Sequence, residues 1–237
     1  MRTFIQIGFL FGMVLTLTAC GTGPLRYSTQ VDSLASPNAT QAKTYLILPG
    51  NAGVTADDLQ YQEFATYVMR SLTANGFVEA KKSDDADVAV VLTYGIGDPQ
   101  THEYSYSLPT FGQTGVSSSQ TSGIVTSSGS YSATTTYTPS FGVTGYVPQT
   151  GSVTTYFRYV VMAGYDLKVY QATGKQVQLW RTRITSTGTS GDLRTVFPIM
   201  IAAAEPYVGV NSGKQVTVEL KEGDKSVLAI KGIPVQK

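Results

Sequence analysis

The chain holds one cysteine and one histidine in 237 residues, and each scarcity excludes chemistry. A single cysteine permits no internal disulfide and no zinc cluster of the CxxC type. A single histidine, His102, leaves little room for triad or acid–base arrangements. Only Asp98, His102 and Glu103 lie close enough in sequence to suggest a weak metal site or a hydrolytic centre. Charge is sparse as well: 14% of residues are charged, against roughly 25% in ordinary soluble proteins. Once Arg2 is set aside, sixteen basic residues face sixteen acidic ones, a balance that gives no electrostatic footprint for nucleic acid. Long apolar runs are missing except at the start, where Phe4 to Thr18 is shorter than the roughly 20 residues a membrane-spanning helix needs.

That first run is arranged as an export leader. Arg2 supplies the positive start, FIQIGFLFGMVLTLT the apolar segment, and Ala19 the small residue at the point of cleavage. The lone cysteine follows at once. Leu17-Thr18-Ala19-Cys20 resembles the lipobox of bacterial lipoproteins, in which residues 1–19 are removed and the cysteine is alkylated and acylated. A thiol is required because only sulfur gives the thioether. One acyl chain holds a protein marginally, whereas two or more hold it stably. The expected lipidation site is therefore Cys20, with fatty acyl chains such as palmitate as the membrane contact. Gly21 resembles the residue that lets lipoproteins proceed to the outer membrane, so the expected location is the cell envelope, facing the periplasm.

Residues 20–43 carry Pro, Gly, Ser and Asn punctuation with no sustained period and are expected to form a flexible tether. The folded part is expected over 44–237. Thr44–Leu48 reads as a buried strand stopped by Pro49-Gly50. In residues 55–77, Tyr61, Phe64, Ala65, Val68 and Leu72 recur at helical spacing, with Thr55 or Asp57 as cap and Gly76 as stop. Val88–Tyr94 reads as a second strand. Its trailing Gly95-Ile96-Gly97 lacks the third glycine of a dinucleotide loop and runs into Asp98-Pro99, so it ends a strand instead.

From Tyr104 to Phe157, 54 residues pass without a charge. Ser, Thr, Gly and Tyr dominate, and YSLPTFGQTG (106–115) is echoed by YTPSFGVTG (137–145). Two readings stand, an ordered hairpin arm and a flexible insertion over 104–155, and the low complexity of the middle favours the second. Tyrosine with Ser and Gly is also the vocabulary of adaptable contact surfaces, which suggests a partner in the envelope.

Beyond the insertion, residues 156–187 alternate as two strands about Thr173-Gly174, with Val161, Ala163, Tyr165, Leu167 and Val169 on one face. Residues 191–209 predict a helix capped by Asp192, with Val196, Met200, Ile201 and Ala204 apolar and Pro198 delaying or kinking it. Residues 216–232 predict a hairpin about Glu222-Gly223-Asp224. The fold class expected is α+β, a mainly antiparallel sheet with two helices packed on one face.

LQYQEFATYVMRSLTANGF, DADVAVVLTYGIGDPQTH and LWRTRITSTGTSGDLRTVFPIMIAAAEPYVG together resemble bacterial envelope lipoproteins that carry the domain of unknown function numbered 4136. The resemblance covers residues 44–232 apart from the insertion. It implies an envelope-facing α+β domain behind a lipid anchor and transfers no catalytic, cofactor-binding or metal residue. The expected function is non-catalytic contact, with a periplasmic hydrolase or metal-dependent enzyme built on Asp98, His102 and Glu103 as the alternative. No cofactor and no nucleic-acid partner are expected.

Overall fold

The computed structural model of the chain describes residues 25–40 and 42–234. Cys20 and the leader expected over 1–19 lie outside them. Among the described residues there are eight strands, β1 (Arg26–Ala35), β2 (Thr44–Pro49), β3 (Val78–Glu79), β4 (Val88–Ile96), β5 (Gln100–Val125), β6 (Tyr131–Asp166), β7 (Gln178–Gly188) and β8 (Val216–Lys221). Four helices accompany them: α1 (Leu59–Ala74), α2 (Leu167–Thr173), α3 (Leu193–Ala204) and α4 (Lys225–Lys231). The sheet order is β3-β2-β4-β6-β7-β1-β8, and β5 pairs with β6 alone.

This corrects the expected mainly antiparallel sheet with two helices. The sheet is mixed, because β2 runs parallel to both β3 and β4. A helix between two neighbouring strands carries the chain back to the starting edge and so makes them parallel, which is what α1 does after β2. The additional helices, α2 and α4, have seven residues each, under two turns, too few to separate a helical period from strand alternation. Gly174 (φ 71°) and Gly232 (φ 74°) close these short helices in the left-handed region. The expected hairpin turn at Thr173-Gly174 is thus a helix end, and the expected hairpin at 216–232 is a strand followed by a helix.

The core lies between the sheet and the layer of α1, α3 and α4. In α1 the buried residues are Tyr61, Phe64, Ala65, Val68, Ser71 and Leu72, the predicted stripe with one serine added. Its cap is Asp58, one residue beyond the predicted Asp57, and the carboxylate accepts from the Tyr61 amide at 2.8 Å. In α3 every residue from Val196 to Ala204 is buried, since this helix packs against the sheet on one side and against α1 and α4 on others. Pro198 sits inside it, and Asp192 caps it as predicted. The Phe197 ring stacks on Phe64 with centroids 3.9 Å apart and planes 5° from parallel, and Tyr94 meets both edge-on at 4.8 and 5.9 Å. On β6, Val160 and Met162 face this core, while Val161, Ala163 and Tyr165 share the opposite face of the sheet and the other two residues expected on that face, Leu167 and Val169, belong to α2.

The segment expected as a tether contains β1, an interior strand between β7 and β8. Its inward residues are Thr29, Val31 and Ser33, all fully buried. Only one of the three is apolar, so a search for hydrophobic alternation passes over the strand. Hydrogen bonds complete the burial instead: the Ser33 hydroxyl donates to the Tyr207 carbonyl at 2.7 Å and lies 2.8 Å from the Thr182 hydroxyl.

Asp87 ties β2 to β4. Its carboxylate accepts from the Thr44 hydroxyl at 2.6 Å and the Thr44 amide at 3.2 Å, and it pairs with Lys168 of α2. The hydrogen bond from Lys168, with those from Thr44, holds its pKa down to about 2. A carboxyl lowered in this way stabilises the fold fully above its unfolded value and loses that contribution as pH falls. Asp87→Asn is expected to cost about 1 kcal/mol at neutral pH. The gap between the two proteins should close between about pH 4 and pH 2 in acid-unfolding curves followed by circular dichroism.

Candidate functional site

The outward face of the sheet splits into two chemistries. On β2, β4 and β6 it is apolar: Leu46, Leu48, Ala89, Val91, Val161 and Ala163 align across the ladder. On β7, β1 and β8 it turns polar, with Arg183 opposite Asp32 and Thr185 opposite Gln30. Helix α2 overhangs the apolar half, and beneath it Leu48, Ala89, Val91, Tyr165, Leu167 and Tyr170 line a cavity of about 380 Å³.

The most extended feature lies beyond this sheet. The ladder between β5 and β6 continues from Gln100 opposite Thr155 to Val125 opposite Tyr131, and no third strand joins it among the described residues. The stretch expected as a flexible insertion is therefore an ordered two-stranded arm. A strand of 26 residues extends roughly 85 Å at ~3.3 Å per residue. The internal echo in the sequence marks its pairing: Gly112 lies opposite Gly142, Phe111 opposite Val143 and Gln113 opposite Phe141, so the two copies of the Phe-Gly motif meet face to face.

The outer half of the arm separates its side chains by face. One face carries Phe111 with Val143, Gln113 with Phe141, Val116 with Pro139, Ser119 with Tyr137, Thr121 with Thr135, Gly123 with Ala133, and Val125 with Tyr131. The other carries Gly112 with Gly142, Gly115 with Ser140, Ser118 with Thr138, Gln120 with Thr136, Ser122 with Thr134, and Ile124 with Ser132. The first is aromatic and aliphatic with a minority of polar groups, and the second is hydroxyl, amide and glycine with one isoleucine. Phe111 and Phe141 are 73% and 72% exposed, although a solitary ribbon gains little from leaving such rings in water. Bulges between Thr110 and Phe111, Gln113 and Gly115, and Val116 and Ser118 set the join between the inner and outer halves.

Close approaches between rings and glycines hold the register. A Cβ built on Gly151 would lie 2.7 Å from the Tyr104 ring, and one on Gly123 would lie 2.5 Å from the Tyr131 hydroxyl. Each tyrosine covers the backbone where its cross-strand neighbour has no side chain.

At the root of the arm, Arg158 is buried to 1% exposure with no carboxylate paired to it among the described residues. Its guanidinium donates to the Ser190 carbonyl at 3.2 Å and to the Ser186 hydroxyl at 3.4 Å, and its Nε–H has no partner among the described residues. Burial lowers its pKa from the ordinary arginine value. Arg158 lines a cavity of about 200 Å³ with Leu25, Arg26, Tyr27, Ser28 and Gly188. A desolvated guanidinium with unused donors at a cavity wall is suited to a carboxylate or phosphate oxygen.

The trio Asp98, His102 and Glu103 is placed in the loop before β5 and at that strand's start, and all three are exposed. His102 and Glu103 are successive strand residues and point to opposite faces of the ribbon. No group of three or more His, Cys, Asp or Glu residues that could hold a metal ion occurs among the described residues. No helix among the described residues is long and apolar enough to cross a membrane, a statement that leaves strands aside. Sequence reading named the composition of the arm but missed its two faces, and it missed Arg158. A lone arginine within an aromatic and apolar strand (YFRYVV, 156–161), at the same alternation as the buried Val160, is the available signal.

No protein-family model and no curated protein sequence matches the chain. Among solved structures, a PDZ domain protein from Parabacteroides distasonis is similar over 83% of this chain, at 12% identity and a TM-score of 0.37. The similar region makes up 39% of that protein's chain, so this chain spans well under half its length.

Proposed function

We propose that this chain is a lipid-anchored protein of the bacterial cell envelope that acts by contact and carries out no chemistry of its own, with the β5–β6 arm as the contact element. The observation that carries the reading is the arm itself. A two-stranded ribbon is at best marginal alone in water, and three strands or a covering layer are the usual requirement. An arm of this length, with its aromatic face uncovered, is in keeping with completion by a second surface. The leader and lipobox at Leu17–Cys20, with acyl chains on Cys20, supply the compartment in this reading, and the resemblance to envelope lipoproteins with domain 4136 agrees with it.

The test is crosslinking in intact cells of the full chain beside a version lacking residues 104–155. The full chain is expected to recover neighbours that the shortened one loses, while both show the same circular dichroism of the remaining domain. Recovery of the same neighbours by both would remove the arm from the function. Mass spectrometry of the mature protein is expected to find acylated Cys20 at the amino terminus.

A further inference from the structure

Four properties of the arm bear on what completes it. It carries no charge from Tyr104 to Phe157, including the tip Thr126–Ser130, so nothing in it resists entry into hydrocarbon as a charged side chain would. Its outer half has one apolar and one hydroxylated face, the dyad alternation of strands that stand between lipid and water. Along β6 that half spans thirteen residues from Tyr131 to Val143, about 43 Å of strand or about 30 Å of depth at a ~45° tilt, close to the thickness of a bilayer's hydrocarbon. Finally, the outer edges of both strands are unpaired among the described residues, and Pro139 is the single proline in the outer half, Phe111–Val125 with Tyr131–Val143.

The domain also orients the arm. Thr29 near the start of β1 lies opposite Ser186, Ser186 lies opposite Arg158, and Tyr156 lies opposite Gly188. Leu25 and Arg26 share the cavity wall with Arg158 and Gly188 at the root of the arm. Strand β1 thus begins at the end of the sheet from which the arm leaves, which in the lipid-anchored reading turns the root of the arm toward the anchoring membrane.

From these observations we infer that the outer arm inserts into the lipid bilayer as one hairpin of a closed β-barrel assembled from several copies of this chain. This deepens the contact reading and rests on it. Lipid is the occupant of the Phe111–Tyr131 face, and neighbouring copies of the arm are the occupants of its edges. Copies are required because hydrocarbon offers no hydrogen bonds, and a ribbon with two open edges becomes compatible with it only when those edges pair with others and the ring closes. The Ser/Thr/Gln face then lines an aqueous lumen. The function added is a passage for polar solutes across the membrane to which the chain is anchored.

The experiment uses the full acylated protein added to phosphatidylethanolamine–phosphatidylglycerol vesicles loaded with a self-quenched dye. Dye release is expected, together with arm-to-arm crosslinked species larger than a dimer and protection of the arm from protease. Tyr137→Arg and Phe141→Arg, on the lipid face, are expected to lower the release rate about thirtyfold or more, whereas Thr136→Arg and Thr138→Arg, on the lumen face, should stay within about threefold. The protease measurement needs no substitution and so does not depend on how the variants fold.

Absence of release with the arm still open to protease overturns the inference. Equal losses from substitutions on the two faces overturn it also, as does release by protein lacking residues 104–155. In each of those cases the cell crosslinking separates the two readings. If removing the arm still costs neighbours, the arm contacts a protein and only the barrel is wrong. If it costs none, the contact reading falls as well.

Discussion

Phe197→Ala is expected to remove about 4 kcal/mol from the unfolding free energy, the range seen when a fully buried aromatic is cut back to a methyl group. The ring is 0% exposed and stands at the junction of three elements: it lies flat on Phe64 of α1 and edge-on to Tyr94 of β4, while its own helix α3 packs against the sheet. Its loss removes contacts from each of them. The lining cannot collapse without moving a helix, so most of the void persists. Single domains hold about 5–15 kcal/mol in all, so the variant should unfold at far lower urea concentration and sit near the edge of stability at body temperature. Phe141→Ala on the arm serves as the control, because that ring is 72% exposed and touches none of the core. A difference under about 0.5 kcal/mol is expected for it in the isolated chain. Equal effects from the two substitutions would mean that the Phe64–Phe197 stack is not central to the core.

Gly164→Val is expected to cost about 3 kcal/mol through overpacking. Gly164 lies opposite Trp180, and a Cβ placed on it would stand 2.4 Å from the indole ring. The indole has no room to withdraw, being 1% exposed with Phe77 packed 5.9 Å away. Either the ring leaves its rotamer or β6 parts from β7. Trp180 is the sole tryptophan, so its fluorescence reports on this site alone. Emission should shift to longer wavelength in the variant while the melting temperature falls. Native-like emission with an unchanged melting curve would place the ring elsewhere.

Neither Phe197 nor Gly164 stands out in the sequence, where the readable features are local. The stripe of α1 and the capping of α3 by Asp192 follow from periodicity and from hydroxyl or carboxylate side chains at a helix start, and both are local properties. What went unread is non-local. The inward face of β1 is Thr29, Val31 and Ser33, and its burial becomes intelligible only when Thr182 and the Tyr207 carbonyl arrive from distant parts of the chain. Parallel pairing of β2 with β3 and β4 likewise depends on where α1 deposits the chain. The short helices α2 and α4 resemble turns until their left-handed glycines are placed.

The arm illustrates the same boundary. Its composition is plain, and the low complexity of residues 116–130 favours disorder in a sequence reading; no apolar period is visible in β5 by itself to oppose it. Two bulges on β5, which add residues at Thr114 and Ser117, break the alternation there. The unbroken strand 131–143 keeps it, with Tyr131, Ala133, Tyr137, Pro139, Phe141 and Val143 at odd positions. Of the candidate site residues, Asp98, His102 and Glu103 are neighbours in sequence alone, and a strand sends successive residues such as His102 and Glu103 to opposite sides.

Because β1 begins at Arg26 as an interior strand, little slack would separate the folded body from an anchor on Cys20. Five peptide units link Cys20 to Leu25, at most about 18 Å of fully stretched backbone. If the acyl chains sit on Cys20, that stretch sets how far the start of β1 can stand from the headgroups, and so limits how freely the folded body tumbles.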